Sequence, residues 1–323
     1  MRPLKFHPIL KQTLWGGERI IPYKELASGL SRVGESWELS GMPGSESVVA
    51  EGPWAGSTLS ELIGRFGAEL LGKANYARFG QEFPLLVKFI DAREDLSIQV
   101  HPDDELARKR HGKSGKCEMW YVLEAEPGAS LLTGFSRPIA PAEYERRVAD
   151  NTLTDVLNRQ AIASGDVFYL PAGRVHSIGK GSFIVEIQQS SDITYRIYDF
   201  DRRDAAGNSR ELHTELALEA IDFESSENSR ITYAPENNQE VRLVTTPYFT
   251  TSLYTLTART RCDWSATDSF VAIVLLQGSG SLTDNEGNRI DVRQGETWLL
   301  PASTQWTEIT PHTAPLRLLT SRI

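Results

Sequence analysis

A glutamine and a histidine two residues apart, Gln99 and His101, share one face of an extended strand while Val100 faces away. That spacing aims an amide oxygen and an imidazole at a common point. A carboxylate at Glu118 and a second imidazole at His176, carried on separate strands, complete a four-member O and N donor set that suits a zinc-like ion. Taken singly, His101 or His176 reads as a hydrogen-bonded core residue; with Gln99 and Glu118 beside them, metal binding is the better explanation. The glutamine oxygen completes such a site without adding charge. A divalent ion with one carboxylate and three neutral ligands keeps about one net positive charge and attracts an oxyanion.

Several charged residues fall close to these positions in sequence. Lys88 lies in the apolar stretch 84–90, where burial requires a phosphate or carboxylate opposite it. Lys116, two residues before Glu118, projects to the same side if the strand extends that far. Arg196 carries an always-charged fork that suits an oxyanion, and an ion pair with Asp192 or Asp199 is its structural alternative. Glu186, ten residues before Arg196, is read either as a proton shuttle or as a buried ion pair with that arginine. Gly112-Lys113-Ser114 lacks the glycine that a phosphate-binding loop needs five residues earlier, where Ala107 stands, and reads as a turn near a pocket mouth. His7, His213 and His312 are assigned surface or structural roles.

The elements that must position these residues are mainly short strands between Gly, Pro and Asp turns: 83–90, 97–101, 118–123, 166–170 and 182–188. Helical signals are fewer, at the capping pattern Ser57-Thr58-Leu59-Ser60-Glu61, at 102–110, and at 140–161 with Pro141 near its start. A second strand cluster follows at 270–276, 289–292, 297–300 and 306–309. It contains an echo: Gly165-Asp166-Val167-Phe168-Tyr169-Leu170-Pro171-Ala172 and Gly295-Glu296-Thr297-Trp298-Leu299-Leu300-Pro301-Ala302 match at glycine, acid, aromatic and Leu-Pro-Ala. In that register His176 falls on Trp306. A duplicated β module is expected, with metal only in its first copy. The boundary is placed in the polar stretch 224–238, dividing the chain into 1–225 and 226–323.

At 323 residues, with 40% hydrophobic and 24% charged residues, the chain can bury a sizeable core. No apolar run is long enough to span a bilayer, and a cytoplasmic location is expected. Cys117 and Cys262 form no disulfide framework or CxxC motif and read as buried thiols. A net charge of -9 argues against nucleic-acid or anionic-membrane partners. A monomer or homodimer acting on a small molecule is expected.

Gly165-x5-Pro171-x-Gly173-x2-His176 resembles the second conserved motif of the cupin superfamily, whose members are antiparallel β barrels holding a metal inside. The ordered series Gln99-x-His101, Glu118 before Met119-Trp120-Tyr121, Leu170-Pro171-Ala172-Gly173-x2-His176 and Ser190-Ser191-Asp192-Ile193-Thr194-Tyr195-Arg196 goes further. With Leu14-Trp15-Gly16-Gly17 and Gly34-Glu35-Ser36-Trp37-Glu38, it resembles the short bacterial form of the type I mannose-6-phosphate isomerase family. Two departures stand out: Lys180 replaces the usual cupin asparagine, and the insertion 102–115 separates His101 from Glu118.

The resemblance implies a mainly β fold of two cupin-like antiparallel barrels (jelly rolls) with a few inserted helices. It implies one Zn2+ on Gln99, His101, Glu118 and His176, a catalytic role for Arg196, and substrate contacts from Lys88 and Lys116. Glu186 is the candidate proton-transfer residue. The implied reaction interconverts mannose 6-phosphate and fructose 6-phosphate through an enediolate. An iron-dependent cupin oxygenase and a non-catalytic sugar-phosphate-binding cupin are the alternatives.

Overall fold

The computed structural model describes residues 1–204, 206–224 and 228–323. Residues 225–227, where the expected boundary falls, lie outside the described residues. The expected strands form, and they pair antiparallel throughout the named sheets. A seven-stranded sheet runs in the order Arg230–Ile231, Val167–Leu170, Glu118–Ala125, Ser182–Gln189, Leu85–Ala92, Ile9–Gly17, Val33–Leu39. It faces a five-stranded sheet of Leu157–Ala161, Ser130–Phe135, His176–Ile178, Ile98–Val100 and Tyr195–Tyr198. Trp15, Ile90, Trp120, Phe168 and Ile184 from the larger sheet close on Leu131 and Ile178 from the smaller.

A second pair of sheets repeats this plan. Six strands, Leu4–Lys5, Thr297–Leu300, Val271–Gln277, Leu316–Arg322, Thr250–Leu256 and Val241–Thr245, face four: Thr260–Asp263, Trp306–Pro311, Ser279–Asp284 and Arg289–Arg293. Their shared interior is apolar, from Val271, Ile273, Trp298 and Leu300 to Trp264, Leu282 and Ile309. The fold is therefore mainly β, with two jelly-roll-like sheet pairs, although among the described residues hydrogen bonds close neither pair into a continuous barrel. Strand pairing also crosses between the halves: Leu4 pairs with Leu299, and Ile231 pairs with Val167.

The two larger sheets pack against each other. Leu85, Val87, Phe89, Met119, Tyr121, Val185 and Ile187 share one core with Phe270, Ala272, Val274, Leu299 and Leu319. Alternate residues of the same strands, among them Lys88, Glu118 and Glu186, point into the first barrel. Burial on both faces explains why 84–90 reads as continuously apolar around one lysine. On the far side, Ile98, Val100, Tyr195 and Ile197 of the smaller sheet are covered by Tyr144 and Ala217 from helices Pro141–Ala149 and Thr214–Ala220. Among the described residues no helix is long and apolar enough to cross a membrane.

The internal echo has a backbone counterpart. Tyr121, Trp120, Met119 and Glu118 pair with residues 167–170 as Val274, Ile273, Ala272 and Val271 pair with residues 297–300. Gly165 and Gly295 both adopt positive φ, at 91° and 80°, and donate to the Val122 and Leu275 carbonyls. Glu118 thus corresponds to Val271. The match at Trp306 is different: Thr307 and Ile309 are the buried residues, while Trp306 lies on the outer face beneath Arg261, 4.2 Å from its ring. The side-chain phase has shifted by one residue, so Trp306 occupies His176's place in the chain but not in the interior.

The capping box at Thr58 and Glu61 is present, starting helix Leu59–Phe66. The expected helix over 140–161 is shorter. It ends at Ala149, Asn151 takes φ 54°, and Leu157–Ala161 is drawn into the ladder beside Ser130–Phe135.

Candidate active site

Strand pairing sets the expected ligands side by side. Gln99 lies opposite His176 on one flank and opposite Arg196 on the other, so one row of the five-stranded sheet carries all three. His101 follows that strand, and the Gly173 amide donates to its carbonyl at 2.9 Å, joining the two histidine segments. Gly173 has φ 85°, and a Cβ there would lie 3.0 Å from the Ala220 carbonyl oxygen. Helix Asp104–His111 then leads the chain away, its start capped by the Asp103 carboxylate accepting from the Leu106 amide at 2.8 Å.

Among the described residues, His101, Glu118 and His176 are the group whose ligand atoms converge as a metal site, all within 4.8 Å of one another. All three are buried. Each imidazole donates through Nδ1 to a backbone carbonyl, His101 to Ile193 and His176 to Arg174, both at 2.8 Å. This leaves both Nε2 lone pairs aimed inward, the tautomer a metal ligand requires. They face Glu118 oxygens at 3.5 Å and 3.2 Å. Among the described residues none gives either Glu118 oxygen an aligned hydrogen bond. Three buried acceptor groups around one point call for a cation. The Lys116 ammonium stands there, 2.7 Å from Glu118 Oε2 and 3.0 Å from His101 Nε2. The Gln99 amide nitrogen lies 3.4 Å from His176 Nε2, and half a turn of the amide presents its oxygen instead.

Electrostatics agree with a neutral-imidazole, anionic-carboxylate set. Burial, then the Lys116 charge, pushes the His101 pKa down to about 3. Burial also lowers that of His176. For Glu118 burial acts to raise the pKa, but Lys116 and the two histidines outweigh it and hold the carboxyl well below its usual range.

On the seven-stranded sheet, Trp120, Glu186, Lys88 and Trp37 form a second row. Glu186 accepts from Lys88 at 3.0 Å and from Trp120 Nε1 at 2.9 Å. Lys88 is also 3.9 Å from Glu35. The required anion opposite Lys88 is therefore a protein carboxylate. Burial opposes the charge on Lys88, but Glu186 and Glu35 prevail and push its pKa up. Glu186 pairs with Lys88, not with Arg196. Arg196 instead donates through Nη1 to the Glu211 carbonyl at 2.9 Å, while burial and neighbouring Arg210 pull its pKa below the ordinary arginine value.

A cavity of about 620 Å³ is lined by Gln99, Lys116, Lys88, Glu186 and Arg196. The buried His101, Glu118 and His176 lie behind Gln99 and Lys116. Glu35, Arg32, Arg210, Ser97 and Thr194 also line it. Glu35 belongs to a segment that carried the family resemblance, whereas Arg210 had no sequence signal. The Gly112 turn is placed elsewhere: Lys113 pairs with Asp192 at the surface, and Ser114 lines a separate depression. His213 accepts from the Arg196 amide, a structural role, and both cysteines are buried and free.

Residues 4–132 match the family model "Phosphomannose isomerase type I, catalytic domain". The chain is 33% identical to mannose-6-phosphate isomerase ManA of Bacillus subtilis over 302 residues, covering 93% of each. It is likewise 33% identical to the mannose-6-phosphate isomerase of Streptococcus mutans over 302 residues, 93% of this chain and 92% of that one. The crystal structure of the mannose 6-phosphate isomerase from Bacillus subtilis superposes with a TM-score of 0.90 at 30% identity, covering 100% of both chains. Similarity of this extent, over a site already built from the residues upward, makes the chain a member of the type I phosphomannose isomerase family.

Proposed function

We propose that this protein is a metal-dependent aldose-ketose isomerase that interconverts mannose 6-phosphate and fructose 6-phosphate. The observation that carries the reading is one cavity lined by the Lys88–Glu186 pair and by Gln99 and Lys116, which touch the buried His101, Glu118 and His176 group. These three ligands, with the Gln99 oxygen, fit a divalent ion, because their lone pairs converge without enough hydrogen donors to satisfy them. We assign one Zn2+ per chain. Bound there, the ion supplies Lewis acidity toward the sugar's C1 and C2 oxygens.

The residues divide the remaining work. Isomerisation moves a proton between C2 and C1 while a hydroxyl proton crosses between the oxygens, through an enediolate. Glu186 is the proton-transfer residue: Lys88 and Trp120 hold its carboxylate in place, and it retains lone pairs for a carbon-bound proton. Lys88, kept as an ammonium, donates to substrate oxygen. The Arg196 fork, beside Gln99 in the strand ladder, holds the developing oxyanion. Lys116, which lines the cavity beside Glu118, would meet substrate there.

The metal-bearing unit is residues 1–225. Residues 226–323 form a second copy in which Val271 stands where Glu118 does and the interior is apolar. The reaction is assigned to the cytoplasm, with no nucleic-acid or membrane partner and a monomer or homodimer as the working unit. A coupled assay tests the function. Native protein converts mannose 6-phosphate to fructose 6-phosphate, chelated protein does not, and zinc restores the rate. Metal-replete protein with no turnover would sink the reading; iron content with dioxygen consumption would favour an oxygenase.

A further inference from the structure

Two adjacent glutamines at the exit of strand Ser182–Gln189 have no part in the roles assigned so far. Gln188 follows Glu186 by two residues, so its side chain enters the first sheet pair from the same face, and it lies opposite Glu118 in the ladder. It is fully buried, yet its Oε1 has no hydrogen-bond partner among the described residues. A leucine would fill that space without stranding an oxygen, so packing alone does not account for an amide there. What the amide does supply is Nε2, which donates to the Gln189 carbonyl at 2.8 Å and to the Ser191 carbonyl at 2.6 Å. These bonds close the turn that follows the strand. Ser191 Oγ then accepts from the Ile193 amide at 3.4 Å, and the Ile193 carbonyl is the acceptor that fixes the tautomer of His101.

Gln189 meets the insertion 102–115, which separates His101 from Glu118. A connection of that length does not by itself fix the two ligands relative to each other. Its two ends are tied instead. The Pro102 carbonyl accepts from the Lys116 amide at 3.1 Å, and Asp104 Oδ1 accepts from the Gly115 amide at 2.9 Å. Gln189 bridges the same two ends, donating through Nε2 to Asp104 Oδ1 at 3.1 Å and accepting from the Cys117 amide at 2.9 Å. Cys117 is the residue before Glu118, and Asp104 begins the helix that follows His101. We propose that Gln188 and Gln189 are positioning residues of the metal centre, Gln188 acting through His101 and Gln189 through the spacing of His101 and Glu118. This rests on the reading of His101, Glu118 and His176 as metal ligands.

The test uses full-length protein and the variants Gln188→Met and Gln189→Met, which keep a flexible side chain of similar length and remove the amide. Each raises the zinc dissociation constant, measured by competition with a chromophoric chelator, by about 10- to 100-fold. Cobalt(II) loaded in place of zinc reads ligand geometry through its visible absorption, and that spectrum shifts or weakens in both variants. A merely structural role would lower the melting temperature of the metal-free variants and leave zinc affinity and the cobalt spectrum as in wild type; that outcome overturns the proposal. Should Gln188→Met fail to fold, Ser191→Ala, which removes only the hydroxyl facing the Ile193 amide, puts the same question to the His101 side, and weaker zinc binding is again the expected result. If wild type takes up no zinc, the metal-ligand reading falls and this proposal with it. Zinc uptake by wild type with equal affinity in the variants refutes this proposal alone.

Discussion

Replacing Lys116 by methionine should tighten metal binding while disabling catalysis. The ammonium lies 2.7 Å from Glu118 and 3.0 Å from His101 Nε2, within the group of atoms that would hold an ion. Unit charges about 4 Å apart interact by ~4 kcal/mol at an effective dielectric constant near 20, so ammonium and ion cannot both stay there. Metal binding therefore includes the work of expelling a buried, paired lysine. In Lys116→Met that work disappears, and the metal-free protein carries a buried Glu118 without its counterion. Removing one partner of a buried pair costs about 3–5 kcal/mol. The metal-free variant should melt well below wild type, and zinc should recover most of the difference. Its zinc dissociation constant, measured by competition with a chromophoric chelator, should fall by at least about tenfold, equivalent to 1.4 kcal/mol. Turnover of mannose 6-phosphate should drop in the same protein. An unchanged or weaker zinc affinity, with metal-free stability unaltered, would refute the placement of Lys116 as the resident cation.

His176→Ala should abolish stoichiometric zinc uptake, read by elemental analysis after dialysis, because it deletes one of the three converging ligands. Arg196→Ala should retain zinc yet lose about 10²- to 10³-fold in kcat, the usual cost of one oxyanion donor; loss of zinc instead would make its role structural. Chelated protein should lose stability on acidification. Burial depresses His101 to about 3 and lowers His176 from its ordinary 6.5, so the unfolded chain holds more protons as pH falls below about 6.5. The stabilisation is complete above that pH and declines below it, by up to about 1.4 kcal/mol per pH unit for each histidine. Urea melts at pH 7.5 and 5.5 check this, and His176→Gln should flatten the dependence.

The parts of this site that were legible in sequence are those set by strand period. Gln99 and His101 could be placed on one face because alternation is local, and the Gly165 to His176 turn carried its own glycines and proline. The Lys88 counterion was required by burial, but its identity as Glu186 depends on the register of Leu85–Ala92 against Ser182–Gln189. Arg210 was invisible for a similar reason. It lies in irregular chain and is brought to the cavity by Asp199 and by backbone pairing of His213 with Arg196. The overextended helix at 140–161 failed because an edge strand beside Ser130–Phe135 overrode an amphipathic pattern. Trp306 marks another limit: aligned letters predicted the backbone position correctly, but one residue of phase in a strand reverses which side chain enters the core.

That phase shift also bears on what the second sheet pair does. Its interior has Val271 at the register position that Glu118 holds in the first pair, and its larger sheet packs Phe270, Ala272, Val274 and Leu299 against the first pair's larger sheet. The strands it covers are those whose opposite faces carry Lys88, Glu118 and Glu186. Without that cover, Leu85, Val87, Phe89, Met119 and Tyr121 would face water, and the strands would gain the freedom that cores suppress. A buried ion pair such as Lys88 and Glu186 depends on a fixed register between two strands, because both charges are buried and each is satisfied mainly by the other. The smaller sheet, carrying Gln99, His176 and Arg196, is backed by helices instead. Each row of polar residues thus has a solid apolar layer behind it, and in one row that layer is the larger sheet of the second sheet pair, whose own interior is apolar. Burying both faces of a charged strand demands a near-continuous apolar sequence with a few polar exceptions, which makes Lys88 conspicuous in the sequence while its partner, set by register alone, is not.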